Sequence, residues 1–170
     1  MTMPFGASRT VFEQEKYKIL RASSRDAPVV SALTKGDWSE RVAISQRRKV
    51  DNPTQIAEDL RAGGGLVLYR SNLPVAALSY VHVHDGSWEL RRLGVTRSYS
   101  GRGFTTLLID TLEKLAAKAG VHSIRIPVET YSPQYKTYFE KLGFTVDADR
   151  SFSTVFAGAL QPIRMCKTVG

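Results

Sequence analysis

The chain is poor in cysteine and has no long apolar run. Its 170 residues include a single cysteine, Cys166, which excludes a disulfide within the chain and suits a reducing compartment. No apolar stretch approaches the ~20 residues needed to span a bilayer. Glu13 and Glu15 interrupt any apolar core of a secretory signal near the start. We therefore expect a soluble, cytoplasmic protein with no membrane partner.

Two common nucleotide-binding signatures are also absent. No Gly-x-x-x-x-Gly-Lys-Ser/Thr run occurs, which excludes that kind of P-loop. A dinucleotide fingerprint needs three glycines after a buried strand, whereas the nearest segment has two, and the strand before it carries Glu89, Arg91 and Arg92. No repeat or linker divides the chain. We expect residues 1–15 to be a variable extension and residues 16–170 to form a single domain.

A glycine-rich turn is the most informative segment present. Residues 97–106 read Arg-Ser-Tyr-Ser-Gly-Arg-Gly-Phe-Thr-Thr and lead from a strand-like run, 88–95, into a run with helical apolar spacing that ends at Gly120. Such a turn directs free backbone N–H groups and the positive end of the helix dipole at one point. That point suits a phosphate, and Arg97 and Arg102 add cations beside it. Taken alone, two glycines around a basic residue form an ordinary turn about as often.

The rest of the pattern alternates strands and helices. The predicted strands are 17–21, 66–70, 75–84, 88–95, 121–129, 151–156 and 163–169. The predicted helices begin at Ser24 and at Pro53, the latter ending at three glycines, and continue with the helix after the glycine turn and with 132–144. The order β-α-α-β-β-β-α-β-α-β-β predicts a mixed α/β fold with one twisted sheet flanked by helices.

This order resembles the GNAT superfamily of acyl-CoA N-acyltransferases. Two motifs carry the resemblance: Leu-Gly-Val-x-x-x-x-x-Gly-x-Gly from Leu93 to Gly103, and Phe-Glu-Lys-Leu-Gly-Phe from Phe139 to Phe144. The core match runs from about Leu73 to Phe144. The resemblance implies a sheet of six to seven strands with about four helices. It also implies acetyl-CoA as acyl donor, a primary amine as acceptor, and direct transfer in a ternary complex without a covalent intermediate.

The resemblance also implies where coenzyme A binds. The pyrophosphate would lie on the glycine turn, and the pantetheine arm would pair with the strand ending at Val95, where the neighbouring strand splays away. The residues carried over are Leu93, Val95, Ser100, Gly101, Arg102, Gly103, Phe104, Thr105, Thr106 and Ser132. The family's turn usually begins with Arg or Gln and often ends in Gly or Ala, and its last helix often begins with Asn. This chain has Ser98 or Ser100, Thr105 and Ser132 at these places.

The attacking amine must be neutral, which favours a general base. Deprotonating a lysine-like amine at pH 7 costs about 4–5 kcal/mol. Glu89 lies where several GNAT enzymes carry a base glutamate; alternatively, Glu89 only pairs with Arg91 on the same strand face. GNAT enzymes often place an acid tyrosine where this chain has Phe139. The neighbouring Tyr138 is then the candidate acid. The apolar stripe on this helix favours a core residue instead, and water could protonate the leaving thiolate.

The remaining features bear on partners. The net charge of +8 attracts polyanions such as coenzyme A or RNA, but the densest basic run, Arg47-Arg48-Lys49, is more typical of solvated surface. His82 and His84 alternate as two metal ligands do, yet no third ligand is identifiable, so we expect no metal.

The acceptor is expected between residues 38–48 and the strand of Glu89. Three acceptors remain open, in this order: a small amine or amino acid, a protein amine, and an aminoacyl-tRNA. Regulatory coenzyme A binding without turnover is the alternative, supported by Phe139. Because dimers are common in the resembling family, a homodimer also remains open.

Overall fold

A computed structural model of the chain describes residues 9–35, 53–128, 133–147 and 163–170. These residues contain one eight-stranded sheet and four α-helices. The strands are β1 (Thr10–Gln14), β2 (Tyr17–Ala22), β3 (Gly63–Arg70), β4 (Leu73–His82), β5 (Trp88–Val95), β6 (Ser123–Val128), β7 (Thr145–Val146) and β8 (Ile163–Thr168). The helices are α1 (Ala27–Thr34), α2 (Pro53–Ala62), α3 (Phe104–Lys118) and α4 (Pro133–Lys141). The predicted mixed α/β class is confirmed, with more strands than the expected six to seven.

The strands lie in the order β1-β2-β3-β4-β5-β6-β8-β7. Neighbours are antiparallel except β5 and β6, which are parallel. A parallel pair needs a crossover connection, and α3 supplies it. Because β8 lies between β6 and β7, the last strand of the chain is inside the sheet rather than at its edge. No helix of the described ranges is both long and apolar enough to cross a bilayer.

Each face of the sheet carries its own apolar core. Alternation along a strand directs successive side chains to opposite faces. Leu78 of β4 therefore belongs to the core under α3 and α4, whereas the adjacent Ala77 packs with α1 and α2. The core under α3 and α4 is the larger and includes Leu68, Leu78, Leu90, Leu93, Leu108, Leu112, Phe139 and Phe144. The core under α1 and α2 includes Val30, Leu33, Ile56, Leu60, Val67 and Ala77.

The predicted elements that fall within the described residues are present, with some differences in their bounds. Gly63 and the two glycines that follow it form the start of β3, whereas the sequence predicted only that they end α2. A glycine is needed at position 63 because a Cβ there would lie 2.1 Å from the carbonyl oxygen of Tyr80 on β4. The turn between β3 and β4 is shorter than expected, since Leu73 already pairs with Arg70. The unpredicted β7 pairs with β8, while the predicted strand 151–156 lies outside the described residues.

Part of the predicted N-terminal extension also joins the sheet. Residues 10–14 form β1, which pairs antiparallel with β2. Val11 and Phe12 pack against the larger core, so apolar burial holds this edge strand in place. The division of the chain at residue 15 stays a prediction.

Replacing Gly94 by alanine should destabilise the fold. A Cβ there would lie 2.3 Å from the Leu33 carbonyl oxygen and 2.7 Å from the Thr34 Cα, and neither backbone atom can rotate away. We expect a loss of about 1–3 kcal/mol in the free energy of unfolding, measured by urea denaturation. Gly86→Asn is the control, because Gly86 has open space and a positive φ that asparagine tolerates. Equal stability of Gly94→Ala and the wild type would contradict the close contact between α1 and β5.

Candidate functional site

Strands β5 and β6 separate soon after they meet. Their parallel ladder consists of Trp88 opposite Ile124 and Glu89 opposite Arg125, although β5 continues to Val95. On its other side β5 stays paired with β4 as far as Val95. Beyond Glu89, the β5 backbone groups that face β6 therefore have no ladder partner within the described part of β6. The strands splay as the resemblance implies, and the opening between them can accept an extended chain of amide groups.

A β-bulge lies where the two strands separate. Ser79 of β4 pairs with Arg92, and the next residue, Tyr80, pairs with Leu90, so Arg91 is the extra residue. A bulge bends its strand and changes the direction of the side chains. Arg91 is 46% exposed in its side chain, whereas Arg92 is 1% exposed. Arg91 is therefore open to solvent, whereas the side chain of the adjacent Arg92 is enclosed.

The glycine turn has the geometry that its sequence predicts. Gly101 and Gly103 have φ values of 75° and 80°, which residues with a side chain rarely adopt. The first helical hydrogen bond of α3 runs from the Leu107 N–H to the Gly103 carbonyl at 3.0 Å. The N–H groups of the three residues before Leu107 thus precede the helical ladder and point out of its N-terminal end. Among the described residues, no atom lies within 4 Å of a Cβ built on either glycine, so this part of the chain leaves room for a ligand.

Aromatic side chains fix the turn to the sheet. Phe104 at the start of α3 lies 5.1 Å from the ring of Tyr17 and 6.2 Å from that of Tyr99, centroid to centroid. The guanidinium of Arg102 stacks over Tyr99 at 4.8 Å, and Arg70 donates to the Tyr99 hydroxyl at 3.3 Å. The turn is therefore held from both sides, with a cation at its rim.

The other predicted coenzyme A residues divide into exposed and buried ones. Ser100 is exposed, and its hydroxyl donates to the Arg97 carbonyl at 2.8 Å. Thr105 and Thr106 are partly exposed in the first turn of α3. Leu93 is 1% exposed, so only its backbone can meet a ligand. Partly buried Val95 ends the strand. Ser132, and residues 38–48 of the predicted acceptor site, lie outside the described residues.

Both predicted roles of Glu89 fit its position. Its side chain is 13% exposed, and Oε1 lies 3.6 Å from Nη1 of Arg91. The predicted ion pair is thus present, but this distance exceeds that of a normal hydrogen bond. Trp88 and Leu90, on either side of Glu89, belong to the core under α3 and α4, so the glutamate lies on the opposite face, the one that carries α1 and α2.

Tyr138 lies on the other side of the sheet from Glu89. It is half-buried against the core under α3 and α4, 5.3 Å from the ring of Phe139, which is fully buried and packs on Phe144. Phe139 is therefore a core residue. The structure does not bring Glu89 and Tyr138 together directly. A ligand that meets both has to lie in the opening between β5 and β6.

Comparison with known proteins agrees with this geometry. The profile described as the acetyltransferase (GNAT) family matches residues 30–144, which is more than half of the chain. The chain belongs to the acetyltransferase (GNAT) family. No curated protein sequence matches it significantly.

Solved structures share the fold at low sequence identity. The PaiA N-acetyltransferase of Thermoplasma acidophilum, solved with coenzyme A, is 15% identical with a TM-score of 0.71, covering 91% of this chain and 99% of that one. Ard1 of Thermoplasma volcanium is 15% identical, with a TM-score of 0.72 and the same coverages. The ribosomal-protein-S18-alanine N-acetyltransferase of Escherichia coli is 18% identical with a TM-score of 0.69, covering 90% of this chain and 94% of that one.

Sequence reasoning missed a pair of residues beside the GNAT strand opening. Arg125 of β6 donates to Oδ2 of Asp85 in the β4–β5 turn, while Oδ1 of Asp85 accepts from the N–H and hydroxyl of Ser87 at 3.0 and 2.7 Å. This network ties the β4–β5 turn to β6 next to the two-rung ladder. A charged residue between Ile124 and Ile126 in an apolar strand was the available signal, since a buried cation needs a partner.

The other candidates have structural roles in this GNAT chain. His82 stacks on Trp88, which stacks on Tyr80, at centroid distances of 5.3 and 4.4 Å. No group of three His, Cys, Asp or Glu side chains in the described ranges could hold a metal ion. Cys166 donates its thiol to Oδ2 of Asp147 at 3.5 Å. Burial is the main cause, and the neighbouring Asp147 the next, of the rise in the pKa of this thiol to about 11. The thiol therefore stays protonated near neutral pH.

Cys166 should react slowly with thiol reagents in the folded protein. A rise in pKa from 9.0 to about 11 lowers the thiolate fraction about a hundredfold at pH values well below 9. Iodoacetamide labelling at pH 7.5, followed by mass spectrometry, should be at least that much slower than for the urea-unfolded chain. Asp147→Asn removes the carboxylate that accepts the thiol proton and should accelerate labelling. Labelling as fast in the folded as in the unfolded chain would contradict the raised pKa of this thiol.

Proposed function

We propose that the protein transfers an acyl group, in the simplest case acetyl, from acyl-CoA to a primary amine. The observation that carries this proposal is the opening between β5 and β6 next to the helix-opening glycine turn. The opening offers backbone partners to the amide groups of a pantetheine arm, and the turn offers N–H groups to a pyrophosphate. Both fit one extended ligand.

The residues present fit coenzyme A by their chemistry. Gly101 and Gly103 leave the turn open, and the N–H groups of the first turn of α3 attract an anion. Arg102 adds a cation at the rim. Unpaired β5 backbone at Leu93 and Val95 would hold the pantetheine arm in extended form, with Ser100, Phe104, Thr105 and Thr106 around the phosphates. The thioester of acyl-CoA supplies an electrophilic carbonyl carbon and a thiolate leaving group.

Glu89 is the proposed general base. The attacking amine nitrogen must lose a proton as it forms the new C–N bond, and Glu89 accepts that proton directly or through one water. As the C–S bond breaks, the leaving sulfur takes a proton from Tyr138 or from water. Glu89 and Tyr138 lie on opposite faces of the sheet. This placement suits their separate roles of proton acceptor and proton donor, because the acceptor would approach Glu89 from one face while the thioester would lie in the opening between β5 and β6.

Three alternatives remain beside this proposal. Similarity to an enzyme of Escherichia coli that acts on ribosomal protein S18 supports a protein amine as acceptor. The buried Phe139, which lacks a hydroxyl, supports coenzyme A binding without turnover. An aminoacyl-tRNA acceptor rests only on the charge of +8. A single domain over residues 16–170, a homodimer and a cytoplasmic location remain part of the proposal.

Coenzyme A binding should depend on Gly103 and not on a matched glycine. Gly103 and Gly120 flank the two ends of α3 with φ values of 80° and 76°, and both have open space around them. Alanine at either position costs about 1–2 kcal/mol of backbone strain. Only Gly103→Ala should weaken binding of acetyl-CoA, coenzyme A and dephospho-CoA in calorimetry, by about five- to thirtyfold.

The wild type itself tests this proposal. No binding of coenzyme A by the folded wild type would overturn the proposed function. Equal weakening by Gly103→Ala and Gly120→Ala would overturn the role of the turn.

Glu89→Gln should lower kcat by about 10²- to 10⁴-fold and leave acetyl-CoA affinity unchanged. The measurement is thiol release from acetyl-CoA with a panel of amines at pH 7 to 10. The loss should shrink as the pH approaches the amine's own pKa, because free amine then forms without a base. Glu58→Gln on the exposed side of α2 is the control.

Tyr138→Phe in the same assay tests the proton donor. The loss in kcat should be smaller than for Glu89→Gln, since water can protonate a thiolate.

Unchanged turnover in Glu89→Gln at all pH values would remove Glu89 from the mechanism.

A further inference from the structure

Arginines are concentrated around Glu89 on one face of the sheet. Glu89 of β5, Arg125 of β6 and Cys166 of β8 form one cross-strand row, because each is the register partner of the next. Arg164 of β8 shares that face, since Met165 beside it points into the opposite core. Arg91 and Arg92 on β5 complete the group. Each of these guanidiniums keeps its charge at any physiological pH.

Part of this charge is neutralised within the protein. Asp85 pairs with Arg125, whose side chain is 8% exposed and whose Nε is buried without a hydrogen-bond partner in the described structure. Asp147 lies beside Cys166. With Glu89, the described residues of this face bring three carboxylates and four guanidiniums close together.

Arg91 is the arginine of this group that a ligand can reach from β5. It projects from the bulge, is 46% exposed, and lies 3.6 Å from the Glu89 carboxylate. The guanidinium fork of an arginine fits a carboxylate with two hydrogen bonds. Glu89 and Arg91 thus present an anion and a cation side by side. This arrangement is complementary to a molecule that carries an amine and a carboxylate a few bonds apart.

We infer that the acceptor is a small amine with a carboxylate near its nitrogen, of the amino-acid type. This inference rests on the proposed function, in which Glu89 receives the amine. Arg91 binds the acceptor carboxylate and orients the nitrogen toward Glu89. The exposed guanidinium of Arg91 repels a second ammonium group at the position of the acceptor carboxylate, so this residue selects against diamines and other polycationic acceptors.

The test compares acids with their own amides. Thiol release from acetyl-CoA is measured with a set of amino acids, the matching amino acid amides and two diamines, putrescine and cadaverine. An amide's amine is less basic and more often neutral, so a preference for the free acid has to come from carboxylate recognition. We expect kcat/KM at least tenfold higher for the preferred amino acid than for its amide, and lower still for the diamines.

Variants of Arg91 test whether this residue causes the preference for the free acid over its amide. Arg91→Gln should reduce the acid-to-amide ratio at least tenfold through KM for the acceptor, with KM for acetyl-CoA unchanged. Arg91→Lys should restore part of the ratio, because it returns the charge without the fork. Arg61→Gln at the exposed end of α2 is the control, and circular dichroism verifies folding. Amides or diamines preferred over acids would overturn the inference and leave the proposed function intact.

A binding measurement distinguishes failure of the proposed function from failure of the inference about the acceptor. If coenzyme A binds but no amine is acetylated, the proposed function fails. Calorimetric titration of the same amino acids and amides into the coenzyme A complex then tests the acceptor site alone. Binding of the acid but not the amide, lost in Arg91→Gln, would still support carboxylate recognition. No binding of any acid would overturn it.

Discussion

The site depends on the parting of β5 and β6. Each strand is held on its other side, β5 by β4 as far as Val95 and β6 by β8 along its whole length. The two strands can therefore diverge after two rungs without leaving the sheet. Pro127 in β6 has no N–H to donate, and the bulge at Arg91 bends β5. The result is open backbone in the middle of a sheet, where all other neighbours are paired.

The glycine turn is useful because it is anchored to the same strand system. The chain leaves β5 at Val95, and α3 starts with Phe104 packed against Tyr17 of β2 and against Tyr99. Because Gly103 has a left-handed backbone conformation, the chain can turn into α3 immediately before Phe104. The opening and the N-terminus of α3 are thus held in fixed positions relative to each other, and a rigid arrangement of this kind lowers the cost of ordering a long ligand.

Much of the fold could be predicted from the sequence because its signals are local. Strand β5 and helix α2 have the predicted bounds, since a tight turn and a glycine run mark their ends. The opening of β3 by Gly63 could not be predicted in this way, because the requirement comes from the Tyr80 backbone on another strand. The bulge at Arg91 likewise has no local signal, because it depends on the register between two strands.

The candidate site shows the same division. The glycine turn was identifiable, whereas the partner of Arg125 was not, since Asp85 lies 40 residues away in the chain. The overall fold is shared with enzymes that are only 15–18% identical, so the fold cannot decide the acceptor. The side chains beside Glu89 have to do so. In the proposed arrangement Arg91 holds the carboxylate of the acceptor and Glu89, 3.6 Å away on the same strand, receives the proton of its amine. Recognition of the acceptor and acceptance of its proton would then be divided between two neighbouring residues of β5.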